Sequence, residues 1–269
     1  MLAKRIISSV VLLLIVYLTI FILPSWTFFL LVMVFAVLGL WEYFRLAERK
    51  KVFVHKSLGI VLGVLISSSF YLQSEVGIRQ PELGLIAIAI IGFFFLQFAR
   101  RDNSSALMSI ACSLLGLLYI PWLLSFFVRL KYIPGGSLWI IFLILVAKSG
   151  DAGAYFVGKW LGRHPLIERI SPNKSIEGGV GGFLVSLVVA LGCKLFLPEI
   201  PYHHLLILGV SIGILAQLGD LAESLIKRDV GVKDSGWIVP GLGGILDITD
   251  SLLFSAPFLY FYIMVILRP

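Results

Sequence analysis

Long apolar runs alternate with short polar segments along most of this 269-residue chain. A helix of about 20 apolar residues crosses the ~30 Å hydrocarbon core of a bilayer, and most of the runs approach that length. The N-terminal run follows a basic start, but no small-residue cleavage site comes after it, so we interpret it as a retained helix. The pattern predicts nine membrane-spanning helices, at residues 6–23, 26–46, 57–72, 83–99, 106–128, 137–158, 178–197, 204–227 and 245–267.

Composition supports an all-α polytopic membrane protein. Hydrophobic residues make up 59% of the chain and charged residues only 14%, whereas soluble domains carry roughly 25% charged residues. The mean hydropathy of +1.02 excludes an ordinary soluble enzyme and a disordered chain. The net charge of +7 is then better explained by cytoplasmic loops and anionic headgroups than by nucleic acid.

The distribution of Lys and Arg indicates an orientation. With the N-terminus in the cytoplasm, sixteen of these residues fall on inner segments and five on outer ones, which predicts an N-in, C-out topology. Polar residues at membrane depth are rare before residue 130 and frequent after it. We therefore expect scaffold helices over 1–136 and a catalytic region over 137–269, with cytoplasmic loops at 159–177 and 228–244.

Ionisable residues inside the spans are costly, and each is a candidate functional residue. A rise of about 1.5 Å per helical residue puts the acids at one depth, near the cytoplasmic face. The seven ionisable residues within the spans are Lys148, Asp151, Asp220, Glu223, Lys227, Asp247 and Asp250.

Two pairs of acids have helical spacing. Asp220 and Glu223 are three residues apart, as are Asp247 and Asp250, so each pair shares a helix face. Their oxygens suit Mg²⁺, which is bound by one or two carboxylates together with phosphate oxygens and water. For Glu223 an ion pair with Lys227 is an equally good explanation, whereas the other three acids have no comparable cation nearby in the sequence.

Two polar loops contain residues suited to a nucleotide. Lys227, Arg228 and Lys233 match phosphate oxygens, although a positively charged inner loop would also contain them. The glycines at 243 and 244 allow close backbone approach before the last helix. In the other loop, Asp151, Ser171, Asn173 and Lys174 could contact base, ribose and phosphate.

The segment from residue 224 to 250 resembles the signature of CDP-diacylglycerol synthases, also called phosphatidate cytidylyltransferases. That signature reads approximately S-x-x-K-R-x4-K-D-x-[GSA]-x5-H-G-G-x2-D-R-x-D. Residues 151–159 and 171–178 also look like upstream motifs of this family. The positions in register are Ser224, Lys227, Arg228, Lys233, Asp234, Gly236, Gly243, Gly244, Asp247 and Asp250. Leu242 and Ile248 replace the usual His and Arg.

The resemblance implies a reaction in which CTP and phosphatidate give CDP-diacylglycerol and pyrophosphate, with Mg²⁺ as cofactor. It also implies a bacterial-type inner membrane enzyme whose active site faces the cytoplasm. Partners would be CTP, phosphatidate and the lipid bilayer, with a homodimer as a further candidate and no nucleic acid.

The residues and the resemblance together give one set of expected site residues. The expected catalytic residues are Asp220, Asp247, Asp250 and Lys227. Metal ligands are expected at Asp220, Asp247, Asp250 and Glu223. Substrate or phosphate contacts are expected from Lys227, Arg228, Lys233, Asp234, Lys174, Asn173, Ser171, Asp151, Gly243 and Gly244.

Alternative functions differ in their chemistry. A CTP-dependent lipid kinase fits the same motif pattern and would release CDP in place of pyrophosphate. An ion-coupled transporter could also use buried acids, but these usually lie near the midplane, and the outer half of this chain has little polar lining. A CDP-alcohol phosphatidyltransferase is disfavoured because its D-x2-D-G-x2-A-R opening is absent.

Overall fold

A computed structural model describes residues 2–77 and 81–267, with side chains from residue 5 onward. The eleven α-helices are α1 (Leu2–Phe21), α2 (Ser25–Arg49), α3 (Lys56–Val76), α4 (Pro81–Phe98), α5 (Ala106–Leu117), α6 (Phe126–Tyr132), α7 (Gly136–Leu161), α8 (Ile176–Gly192), α9 (Tyr202–Asp229), α10 (Ile245–Leu253) and α11 (Ser255–Tyr262). Arg79 and Arg268, two of the five outer cations in the charge distribution, lie outside the described residues.

The predicted membrane architecture is confirmed. Eight segments of the described chain are long and apolar enough to span a bilayer, and Arg5–Phe21 is a shorter apolar helix at the first predicted position. Three of the eight segments contain turns that are not α-helical, namely Ala106–Tyr132, Ile176–Leu195 and Ile245–Leu267. The segment at Ala106–Tyr132 joins α5 to α6 through a π-helical turn at Leu118–Trp122, where Pro121 interrupts regular α-helical hydrogen bonding.

The predicted loop at 159–177 contains a small β-hairpin. Strands β1 (Pro165–Ile167) and β2 (Ser171–Ser175) pair antiparallel, with Pro165 opposite Ser175 and Ile167 opposite Ser171. Ser175 then caps α8, because its Oγ accepts a hydrogen bond of 3.1 Å from the Gly178 amide. In the part of the chain that the structure describes, this two-stranded hairpin forms the β-sheet, and the other elements are helices.

The first of two compact units comprises Met1–Tyr132 and Val230–Ile248. Its core contains fully buried aromatic rings, including Phe44 and Phe93, and an edge-to-face pair formed by Phe70 and Phe126. The segment 230–248, which we expected to belong with the later helices, groups with this unit. The division into scaffold and catalytic regions stays a prediction.

The second unit comprises Ile133–Asp229 and Thr249–Pro269. Small residues let its helices approach closely: a Cβ at Gly150 on α7 would overlap the Ser186 hydroxyl on α8, and a Cβ at Gly181 would overlap Val157. Gly219 on α9 likewise lies against the main-chain carbonyl of Asp250 on α10. These contacts bring acids on different helices of this unit close to one another.

Candidate active site

Three of the predicted metal ligands meet in the second unit. Asp220 and Glu223 on α9 and Asp250 on α10 each offer a carboxylate oxygen, and these oxygens lie within 4.8 Å of one another. Glu223 and Asp250 are buried, and Asp220 is half-buried. The absence of a side chain at Gly219 permits this grouping, because a methyl group there would overlap the Asp250 backbone.

Each of these acids has a lysine partner. Lys174 pairs with Asp220, Lys227 pairs with Glu223, and the ammonium of Lys148 lies 3.6 Å from Asp250 Oδ1. Asp220 and Asp250 were expected to have no comparable cation nearby in the sequence, and the lysines that pair with them do not lie nearby. Their partners come from distant parts of the sequence, which local spacing could not reveal.

Lys148 also connects Asp250 to a neighbouring acid. Its Nζ lies 3.2 Å from Asp151 Oδ2 and donates to the Ser251 hydroxyl at 2.8 Å. The Ser251 hydroxyl in turn donates to Asp151 at 3.0 Å. Lys148 was not among the expected site residues, although a cation inside a span was the signal that pointed to it.

A cavity of 610 Å³ lies beside Asp220. Five expected residues line it, namely Asp151, Ser171, Asn173, Lys174 and Asp220. Three further lining residues, Tyr155, Lys159 and Gln217, were not among the expected site residues, although Tyr155 and Lys159 lie in the motif-like segment 151–159. Gln217 is positioned by a 2.9 Å hydrogen bond from its Nε2 to the Gly179 carbonyl. The walls thus combine cations, amides and hydroxyls with apolar surface, as is typical of small-molecule sites.

Arg228 has a structural contact in the same unit. Its Nε donates to the Ile170 carbonyl at 3.1 Å, which ties the end of α9 to the turn between β1 and β2. Lys233 and Asp234 belong to the first unit, where both side chains are exposed. A phosphate role for these residues stays a prediction.

Asp247 lies in the first unit and acts there as a multiple hydrogen-bond acceptor. Its Oδ2 accepts from the Ser235 amide at 3.0 Å, the Ser235 hydroxyl at 2.9 Å and the Gly244 amide at 2.7 Å. Gly243 precedes this turn with a φ of +99°, a conformation that favours glycine. The apolar run predicted from residue 245 matches the start of α10, but the part of Asp247 in organising this turn was not foreseen.

Comparison with known proteins identifies the family. The sequence profile of the Cytidylyltransferase family matches residues 3–266. The chain belongs to this cytidylyltransferase family. It is 37% identical over 267 residues to the phosphatidate cytidylyltransferase of Bacillus subtilis, covering 96% of both chains. It is 33% identical to the Synechocystis sp. protein of the same name, covering 98% of this chain and 97% of the relative.

The alignment with a third relative covers nearly the whole of both chains. The phosphatidate cytidylyltransferase of Haemophilus influenzae is 31% identical over 289 residues, which cover 99% of this chain and all of the relative. The profile and these relatives span the apolar N-terminal helices as well as the motif. Membership therefore does not rest on the signature segment alone.

In this member of the cytidylyltransferase family, the carboxylates of Asp220, Glu223 and Asp250 are suitable ligands for a divalent cation. Three carboxylates supply hard oxygens, and the three lysines that pair with them balance their formal charge. A divalent cation bound to the phosphates of a nucleotide could lie among the three carboxylates. The lysine ammonium groups would then pair with the phosphates in place of the carboxylates. The arrangement can therefore serve transfer chemistry at a phosphorus atom.

Proposed function

We propose that this chain is an integral-membrane phosphatidate cytidylyltransferase, which makes CDP-diacylglycerol and pyrophosphate from CTP and phosphatidate. The observation that carries the proposal is the full-length relationship to relatives of that name. The membrane-spanning architecture provides access to a lipid substrate, and the cavity beside Asp220 has room for a polar ligand. The same relationship favours this activity over an ion-coupled transporter.

The cavity of the second unit is the proposed CTP site. Lys174 and Lys159 line it and supply charge for phosphate oxygens. The side-chain amides of Asn173 and Gln217 can hydrogen-bond to a base or a ribose. Lys227, Arg228 and Lys233 remain proposed contacts for the pyrophosphate or for the lipid phosphate.

The proposed reaction is a displacement at phosphorus. A phosphate oxygen of phosphatidate attacks the α-phosphorus of CTP, and the bond from that phosphorus to the oxygen bridging the α- and β-phosphates breaks. Phosphatidate already has an anionic oxygen, so the chain need not remove a proton from it. Pyrophosphate leaves with the electron pair of the broken bond.

The acids would hold Mg²⁺ for this step. Asp220, Glu223 and Asp250 are the proposed ligands in the second unit, and the expected metal role of Asp247, which lies in the first unit, stays a prediction. When bound, Mg²⁺ neutralises phosphate charge and aligns attacking and leaving oxygens. Lys174 and Lys227 would exchange their carboxylate partners for phosphate oxygens, and Lys148 would hold Asp250 and Asp151 in place.

We also propose a membrane topology, a side of the membrane for the active site, and an oligomeric state. The bias of Lys and Arg supports an N-in, C-out topology with the active site on the cytoplasmic side of a bacterial-type inner membrane. CTP would then reach the cavity from the cytoplasm, and phosphatidate would reach it from the bilayer. A homodimer is a further proposal, to be tested by the mass of the detergent-solubilised protein.

One experiment tests the proposed reaction. Purified protein is incubated with phosphatidate, Mg²⁺ and CTP labelled in the α-phosphate, with diacylglycerol replacing phosphatidate in a parallel sample. With phosphatidate we expect the label in a CDP-lipid, together with release of unlabelled pyrophosphate. Chelation of the metal should abolish both products. CDP release with phosphorylation of diacylglycerol would instead identify a lipid kinase. Ion flux in proteoliposomes without nucleotide turnover would identify a transporter.

A further inference from the structure

Glu42 is a buried acid in an apolar helix. It lies on α2, within a predicted span, and only 1% of its surface is exposed. A carboxylate in such a position loses its hydration and requires compensating hydrogen bonds. The hydrogen-bond partners of Glu42 therefore indicate the role of its side chain.

The partners of Glu42 come from the segment that leads into α10. The Leu246 amide donates to Glu42 Oε2 at 3.0 Å, and the Ser235 hydroxyl lies 3.3 Å from the same oxygen. Leu246 is in the first turn of α10, where backbone amides have no partner within their own helix. A side chain of α2 thus caps a helix some 200 residues further along the chain.

Two glycines allow this segment to approach the carboxylate. A Cβ at Gly236 or at Gly244 would overlap the carboxylate oxygens of Glu42. Both positions belong to the motif that identified the family resemblance. The need for glycine at these positions follows from the presence of a buried glutamate opposite them.

Ser235 links Glu42 to Asp247. Its hydroxyl lies 2.9 Å from Asp247 Oδ2 and 3.3 Å from Glu42 Oε2. A hydroxyl has one proton, so it donates to one of these carboxylates at a time. The three side chains form one connected group within the first unit.

We propose that Glu42 is a positioning residue that fixes residues 235–246 and, through Ser235, the carboxylate of Asp247. The inference rests on the proposed function, because it assigns Glu42 a part in that reaction. Glu42 supplies Oε2, the carboxylate oxygen to which Leu246 and Ser235 hydrogen-bond before and at the start of α10. Hydrogen bonds to an ionised acceptor are stronger than those to a neutral one, so the charge is needed beyond the volume that the side chain fills.

The Glu42→Gln variant tests this role, because glutamine keeps the volume and loses the charge and one acceptor. Glu48→Gln is the matched control, since Glu48 lies on the same helix with an exposed side chain that pairs with Lys56. Hydrogen exchange of the peptides covering 235–246 and kcat for CDP-lipid formation are measured in both variants. We expect about tenfold faster exchange and at least about tenfold lower kcat in Glu42→Gln, with wild-type values in the control.

A second variant keeps the test decisive if Glu42→Gln cannot be purified. Ser235→Ala removes the hydroxyl that links the two carboxylates and should change exchange and kcat in the same direction, by a smaller factor. Unchanged exchange at 235–246, or a kcat within twofold of wild type, would overturn the positioning role. If wild type forms no CDP-lipid, the proposed function fails, and the exchange comparison still decides whether Glu42 holds the turn.

Discussion

The ammonium of Lys148 lies 3.6 Å from Oδ1 of Asp250. Lys148 on α7 and Asp250 on α10 both belong to the second unit, and Asp151 and Ser251 complete a hydrogen-bonded group around them. A cation held among acids in this way fixes their orientation before any substrate binds. It also reduces the repulsion between carboxylates that would otherwise lie close together.

Lys148→Met should therefore impair the reaction. The substitution removes the cation and leaves Asp250 and Asp151 without it, so we expect kcat for CDP-lipid formation to fall by a factor of about 100. The control is Lys194→Met, because Lys194 donates to the carbonyls of Pro198 and Ile200 in a surface turn. Equal rates in the two variants would contradict a role for Lys148 in the acid group.

A metal role is predicted separately for Asp220 and Asp250 in the second unit and for Asp247 in the first. Alanine at Asp220 or Asp247 should abolish CDP-lipid formation, and full activity in both variants would refute the metal assignment. Asp247→Asn is more informative, because asparagine keeps one acceptor for the turn at Gly244. We expect the Mg²⁺ concentration for half-maximal activity to rise about tenfold. A lower kcat with unchanged Mg²⁺ dependence would limit Asp247 to organising the turn.

Lys174 is predicted to bind a phosphate of CTP. Lys174→Met removes a charge that lines the cavity, and KM for CTP should rise about tenfold while the protein stays folded. Lys56→Met is the control, because Lys56 forms an ion pair with Glu48, whose side chain is exposed. Initial rates at varied CTP measure the effect, and an unchanged KM would exclude Lys174 from the nucleotide site.

Gly219 is predicted to be intolerant of a side chain. A methyl group there overlaps the Asp250 carbonyl, so Gly219→Ala should separate α9 from α10 and destabilise the fold by about 1–3 kcal/mol. At Gly192 on α8 the corresponding Cβ has no described atom within 4 Å, and alanine should be neutral or stabilising there. Thermal unfolding in detergent compares the two variants. A wild-type midpoint for Gly219→Ala would show that the helices can move apart without cost.

The stability of the first unit should fall at mildly acidic pH because of His55. Burial lowers the pKa of this imidazole below 6.5, and the nearby Arg100 acts in the same direction, although a hydrogen bond to Gln97 opposes them. Above about pH 6.5 both folded and unfolded states hold a neutral His55. Below that value the unfolded state binds the proton more readily, so folding free energy is lost.

The His55→Gln variant tests that pH dependence. Its unfolding midpoint should change less between pH 8 and pH 5 than that of wild type, because glutamine does not titrate. Parallel profiles for wild type and His55→Gln would assign the acid sensitivity to other groups.

The helices could be predicted from the sequence because each apolar run must satisfy its backbone hydrogen bonds inside a bilayer. Local spacing also identified the carboxylates of Asp220, Glu223 and Asp250 as candidates for one site. Spacing could not find Lys148 or Lys174 as their partners, since those contacts depend on which helices pack together. The hairpin at 165–175 was missed because its strands are only three and five residues long and the second is polar.

The sequence by itself determined that the chain spans a membrane, where its spans lie and which family motif it contains. These properties follow from residues that act within one helix or one short segment. Only the tertiary structure decided which charges meet, because Gly219 and Gly236 act by permitting contacts with distant residues. The same is true of Glu42, whose partners at 235–246 are remote in sequence and adjacent only after folding.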